Sequence, residues 1–235
     1  FETKEVGQCE NELEIMQERT QETTGTENVK KAGKNVLKLL TSLRKICNHP
    51  YMMVKSAEGD PKFKLPPNVK MSDLQTYEAS GKLLALKDLF NEFGFGDDEN
   101  ANQEDEFMDT KDKVILFTKY TETLDIIANL FLKKLFSNLN YLRIDGTISP
   151  SKRFSIVNQF NNDPDCHLIL VTTTVGGVGL NLSSANRVIM FDHDYNPMND
   201  LQAIDRAHRI GQKNTLLVYR LIMKGTLEEQ IMGIQ

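Results

Sequence analysis

Leu168-Ile169-Leu170-Val171 runs directly into Thr172-Thr173-Thr174-Val175-Gly176-Gly177-Val178-Gly179-Leu180-Asn181. Four consecutive apolar residues without polar alternation predict a strand buried on both faces, as in a parallel sheet covered by helices. The three glycines that follow let the backbone pass close to another group, and the threonine hydroxyls suit phosphate oxygens. Ligands of open α/β sheets bind at the carboxyl ends of strands, so this loop is a candidate site. A tight turn with packing glycines accounts for the same residues, and at this point both readings are open.

Working outward, Val114 to Phe117, Tyr141 to Ile144, Val188 to Phe191 and Leu216 to Ile222 are further strand candidates. Helical patterns lie between them. Leu124, Ile127, Ala128, Phe131 and Leu132 recur at helical spacing; Ser149-Pro150 opens a helix expected to bury Phe154, Ile156, Val157 and Phe160; Pro197 opens another. Strands alternating with helices make residues 113–235 an α/β domain, a parallel sheet with helices on both faces and right-handed crossovers. Upstream, 36–96 is a helical lead-in. Val36, Leu37, Leu39, Leu40, Leu43 and Ile46 form a stripe that stops before Pro50, and Leu83 to Phe90 mark a second helix ended by Gly94 and Gly96. Between these helices, Lys55 to Ser72 holds Gly59, Pro61, Pro66 and Pro67 and is expected to be irregular. The acidic stretch 97–112 is expected to be a disordered insertion, and the polar flank 1–35 to be disordered or helical against a partner. The start at Phe1 rather than Met suggests a piece of a longer polypeptide.

The chain has 235 residues, 40% hydrophobic and 26% charged, enough for one good core. No apolar run reaches membrane-spanning length. Its net charge of −5 is unevenly spread. Glu2 to Glu27 carries eight acids against Lys4 and Arg19, and Asp97 to Asp112 eight against Lys111. The remainder is therefore net +8, which is compatible with a phosphate backbone. Cys9, Cys47 and Cys166 form no CxxC pair, which fits a reducing compartment. Cys47-Asn48-His49 offers two metal ligands with nothing to complete a set, so no metal site is expected.

After Val188 to Phe191 comes Asp192-His193-Asp194-Tyr195-Asn196-Pro197, and then Gln202-Ala203-Ile204-Asp205-Arg206-Ala207-His208-Arg209-Ile210-Gly211-Gln212. On a helix, Gln202, Arg206 and Arg209 would share one face. Two guanidiniums and an amide beside a Gly-rich loop suit a polyphosphate. The alternative is a surface helix whose arginines pair with Asp200 and Asp205. The chain lacks a GxxxxGK[ST] sequence, since Gly33-Lys34 and Gly81-Lys82 have no earlier glycine at the right spacing, and it has no DExH strand.

Gln202-x-x-Asp205-Arg206-x-His208-Arg209-Ile210-Gly211-Gln212 resembles the sixth motif of SWI/SNF-type ATPases, a family within helicase superfamily two. The Thr172-to-Leu182 stretch resembles the fifth motif, and Ile115-Leu116-Phe117-Thr118 the fourth. Leu142-Arg143-Ile144-Asp145-Gly146, with Arg153 further on, resembles the segment between them. Leu43 to Pro50 looks like the lead-in helix of the family, and Lys224 to Glu229 its closing stretch. The resemblance implies a C-terminal RecA-like lobe, with ATP and Mg2+ in the cleft against an N-terminal RecA-like lobe that holds most of the metal. It implies Arg206 and Arg209 as arginine fingers assisted by Gln202, and Gly177, Gly179 and Asp205 on the nucleotide side. Thr173, Thr174, Tyr195 and Arg153 fall on the side of double-stranded DNA. His208 is then expected to orient its neighbours and His193 to be peripheral, since phosphoryl transfer needs mainly positioning and charge. The family usually has Lys or Arg at Thr174 and Trp at Tyr195, so a weaker hold on DNA is expected here. Phe160-Asn161-Asn162-Asp163-Pro164 and Asn196 to Asp200 are most similar to the branch that dislodges TATA-binding protein from DNA. That branch implies a nuclear protein that meets its partner through upstream repeats. A nucleosome-remodelling lobe, a strand-separating helicase, a non-catalytic DNA-binding module and a plain interaction domain working through its acidic segments are the rival expectations. On any of these readings the isolated chain is expected to hydrolyse no ATP.

Overall fold

The computed structural model describes residues 26–57, 65–96, 112–176, 179–209, 212 and 215–234. They fall into two compact units, one ending at Arg44 and the other starting at Lys45. The first is most of helix α1, Thr26–Asn48, within which the Thr41 hydroxyl donates to the Leu37 carbonyl at 2.8 Å. This helix starts well ahead of the apolar stripe at Val36, since the proline-free run before it includes good helix formers such as Lys30, Lys31 and Ala32.

The second unit opens with the last turn of α1 and continues through α2 (Tyr51–Ala57), α3 (Met71–Leu74), a 3₁₀ turn (Tyr77–Ala79) and α4 (Gly81–Glu92). Strand β1 (Val114–Thr118) leads into α5 (Thr121–Ile126), whose axis continues as a π-helical stretch (Ile127–Leu132) and α6 (Lys133–Leu135). There follow β2 (Tyr141–Ile144), α7 (Pro150–Asn162), β3 (Leu168–Thr172) and the short α8 (Thr173–Gly176). The unit closes with β4 (Arg187–Met190), α9 (Pro197–Ile204), β5 (Leu217–Arg220) and α10 (Leu227–Ile234).

The five strands of the described residues form one sheet in the order β2-β3-β1-β4-β5, and every pairing is parallel. Because side chains alternate across a strand, the sheet divides its apolar residues between two cores. Val114, Leu116, Leu168, Leu170 and Ile189 pack with Leu83, Leu86 and Phe90 of α4 and with Leu124, Ile127 and Phe131. On the other face, Ile115, Phe117, Ile169, Val171, Val188 and Met190 meet Val157 and Phe160 of α7 and Ala203 of α9. The expected α/β architecture with helices on both faces is therefore present, and β1 is buried at its centre.

Several local expectations change. Phe154 is 70% exposed, although a buried position was expected. The buried stripe of α7 runs through Arg153, Ile156, Val157, Phe160 and Asn161, and Phe154 lies off it around the helix. The last strand is shorter than Leu216 to Ile222, and Leu217 and Val218 are exposed on the outer strand of the sheet. Lys55 belongs to α2, and Met71 and Ser72 begin α3, so the irregular stretch is shorter than expected. The acidic insertion lies outside the described residues except for Asp112, which is tied to the body. Its carboxylate accepts from Arg187 Nε at 2.7 Å and from the Asn186 amide, and His167 Nδ1 is 3.2 Å from its carbonyl oxygen.

Candidate functional site

All five strands being parallel, their carboxyl ends share one edge of the sheet, and the loops leaving that edge carry the candidate residues. At the end of β2, the buried Asp145 accepts from Thr147 N at 2.9 Å, Thr147 Oγ1 at 2.6 Å and Arg143 Nε at 2.8 Å. Burial pushes its carboxyl up, but these bonds outweigh burial and hold it below the usual carboxylate range. The turn so formed delivers the chain to α7. There Arg153, half-buried, donates through Nε to the Ile148 carbonyl at 2.7 Å and pins the first turn of α7 to this loop.

At the end of β3, Thr173 is buried and Thr174 exposed, so only the second presents its side chain at the surface. Gly176 has no room for a side chain: a Cβ would lie 2.7 Å from Cε1 of Phe117. Gly177 lies outside the described residues. Gly179 has φ +63°, a conformation that favours glycine, with open space where a Cβ would stand. Packing thus accounts for Gly176, while Gly179 leaves an uncovered stretch of backbone.

The segment after β4 meets this loop. Helix α9 begins at Pro197, with Asn196 Oδ1 accepting from Met198 N at 3.1 Å, and it ends at Ile204. Arg206 and Arg209 therefore stand beyond the helix, in tight turns, and not on the helical face expected. The cause is tertiary. The Arg206 carbonyl accepts from Leu182 N at 3.0 Å, and the Gln212 amide donates to the Ala185 carbonyl at 2.6 Å. These bonds, with Ala203 and Ala207 buried in the same core as Val175, Leu180 and Leu182, fasten the Arg-bearing turn to the Gly-rich loop. Gln202, Asp205 and Arg209 are exposed, and Arg206 is half-buried. Asp200 is buried; it accepts from Asp194 N and lies 3.5 Å from Nδ1 of the equally buried His193.

A polar network beneath this edge escaped sequence reasoning. Asp192, at the end of β4, accepts from Thr118 Oγ1 at 2.7 Å, Asn48 Nδ2 at 2.6 Å and Lys119 N at 2.7 Å. Lys119 Nζ then reaches Asp194 at 2.7 Å. Burial raises the Asp194 carboxyl, but the Lys119 bond and its neighbours bring it below the usual range. Lys82, noticed in the sequence only as a failed P-loop ending, is 2% exposed and donates to Glu228, Asn48 and the Phe191 carbonyl. Tyr195, just past this network, is exposed. Among the described residues, no group of three His, Cys, Asp or Glu side chains could hold a metal, and no helix is long and apolar enough to cross a membrane.

Residues 100–211 match the helicase conserved C-terminal domain. The chain is similar to the TATA-binding protein-associated factor 172 of Homo sapiens, 41% identical over 99% of this chain and 12% of that protein. It is equally similar to the TATA-binding protein-associated factor MOT1 of Saccharomyces cerevisiae, 41% identical over 86% of this chain and 11% of the relative. The chain thus spans about a tenth of the length of these relatives. Among solved structures it resembles the C-terminal part of the Fun30 ATPase domain, with TM-score 0.56 and 30% identity over 82% of this chain and 53% of the other.

Proposed function

Because this chain belongs to the SWI/SNF-type ATPases of helicase superfamily two, as their C-terminal RecA-like lobe, we propose that it is the arginine-bearing half of a two-lobe, ATP-driven motor on double-stranded DNA. One observation carries the reading: the turn with Arg206 and Arg209 is bonded to the segment directly after the Gly-rich loop, where Leu182 N donates to the Arg206 carbonyl and the Ala185 carbonyl accepts from the Gln212 amide. That pairing fits a nucleotide approached from outside. Gly179 leaves its backbone open, and Gln202, Asp205 and Arg209 face solvent rather than an enclosed pocket. ATP with Mg2+ would supply the transferable phosphoryl group and the neutralising metal, with the phosphate cradle and most metal ligands on an N-terminal lobe. Gly177, Gly179 and Asp205 would line the nucleotide side, Gln202 would orient it, and the two arginines would meet the γ-phosphate.

Guanidiniums delivered in this way are worth about 10³–10⁵ in rate, or roughly 4–7 kcal/mol of transition-state stabilisation. The gain appears only when the lobes close, which ties turnover to movement of the DNA-side residues Arg153, Thr174 and Tyr195, while Thr173, whose side chain is buried, has no side-chain place there. DNA recognition is then mainly through the phosphate backbone and blind to sequence. Both relatives are named for association with TATA-binding protein, which supports a nuclear role in dissociating that protein from promoter DNA.

The test is turnover. In the full-length protein, Arg206→Ala or Arg209→Ala is expected to lose about 10³-fold or more of DNA-stimulated kcat with nucleotide binding largely kept. Either variant keeping more than about a tenth of wild-type kcat would remove that residue from the role of finger. The 235-residue chain alone, with duplex DNA added, is expected to show no hydrolysis above background.

A further inference from the structure

Lys82 occupies an unfavourable place for its chemistry. It is the second residue of α4, where the helix dipole opposes a cation, and it is 2% exposed, where an unpaired ammonium is costly. An apolar residue would fill the position at no such cost, so what Lys82 holds is informative. Its Nζ reaches Glu228 Oε1 at 2.5 Å, the Phe191 carbonyl at 2.7 Å and Asn48 Oδ1 at 3.1 Å. Glu228 itself is 1% exposed and also accepts from Met223 N at 3.1 Å. Asn48 is fully buried and turns its amide nitrogen to Asp192 Oδ2 at 2.6 Å, and Asp192 Oδ1 takes Lys119 N. Lys119 Nζ binds Asp194, whose other carboxylate oxygen accepts from Asn196 N at 3.2 Å.

We propose that Lys82 and Glu228 are positioning residues for the Asp192–Asn196 loop. One buried ammonium fixes Asn48 and the Phe191 carbonyl, Asn48 fixes Asp192, and the loop that presents Tyr195 to DNA is set from below. Three segments far apart in the chain, the end of α1, the start of α4 and the first turn of α10, thereby converge on the carboxyl end of β4. The side chains on this path come from α1, α4, α10 and the loops after β1 and β4, and none of them has been given a place at the nucleotide. The inference rests on the assignment of the 192–196 loop to the DNA side.

Its signature is a split between DNA affinity and turnover. In the full-length protein, Lys82→Met is expected to raise the duplex-DNA concentration giving half-maximal ATPase about tenfold, a size typical of mutations along a packed network, while kcat at saturating DNA stays within about twofold. Lys82→Met leaves Glu228 buried without its cation and will lower stability. The double variant Lys82→Met/Glu228→Gln, without that stranded charge, separates folding from positioning. If the double variant melts with the wild type and still needs about tenfold more DNA at unchanged kcat, the positioning role stands. A double variant that melts with the wild type and has wild-type DNA dependence overturns it, as does any loss confined to kcat. A wild-type enzyme with no DNA-stimulated ATPase would instead sink the motor assignment, a result distinct from either of these.

Discussion

Gly176 shows how much one residue type can fix at the candidate site. Any Cβ there would stand 2.7 Å from a ring carbon of Phe117, which is fully buried between the sheet and its helices. Gly176→Ala is therefore expected to destabilise the lobe by about 1–3 kcal/mol, the usual cost of overfilling a packed core. Adding Phe117→Leu should recover part of that loss. Urea melts of the three chains check this, and an unshifted midpoint for Gly176→Ala would mean that the ring yields freely. At this scale the sequence was only partly legible. The cluster of glycines was visible, but packing and exposed-backbone roles could not be divided between Gly176 and Gly179 without seeing Phe117. Lys82, Asn48 and Asp192 were less legible still, because each is polar within a local pattern and acquires meaning only from partners elsewhere in the chain.

Among the elements, the strands were the most legible. Short apolar runs at β1, β3 and β4 can be satisfied only by burial on both faces, and their boundaries moved by a residue at most. Helix α9 was less so: Arg206 and Arg209 continue its sequence pattern, yet bonds from Leu182 and Gln212 end the helix first. The junction between α1 and α2 carries a pH dependence. His49 is 1% exposed; its Nδ1 accepts from Tyr51 N at 3.2 Å, so the neutral ring can donate through Nε2 to the Thr76 carbonyl at 3.0 Å. Burial lowers its pKa, and the Thr76 bond only partly offsets this. Folded His49 therefore resists a proton that the unfolded chain takes up near its ordinary pKa of about 6.5. The contribution of the neutral ring is complete above that value and is lost as pH falls from it towards the lower folded pKa. Urea melts at pH 7.5 and pH 5.5 should show the stability advantage of wild type over His49→Gln shrinking at the lower pH. An advantage that is constant or grows on acidification would contradict the assignment.

For the whole molecule, the division of labour is the main point. The lobe carries the candidate arginines and DNA-side residues but spans about a tenth of its relatives, so partner recognition is expected to lie elsewhere in the polypeptide. The 235-residue chain is predicted to show no measurable affinity for TATA-binding protein, whereas the full-length protein is predicted to bind it and to release it from promoter DNA only with ATP. A gel-shift release assay decides this. TATA-binding protein that stays on DNA after ATP addition, together with sliding of nucleosomes, would move the lobe to a chromatin-remodelling role while leaving the motor intact. The strand order has a consequence in time as well as in space. Among the described residues the central strand β1 is the first strand, yet its two neighbours are β3 and β4, so Val114 must wait for Leu168 before one edge is covered and for Arg187 before the other is. Such non-local parallel pairing is slow, since loop closure is paid for before contacts reward it. During synthesis, an apolar Val-Ile-Leu-Phe segment with both edges bare will therefore precede its partners out of the ribosome, and this lobe should depend on chaperones until β4 emerges.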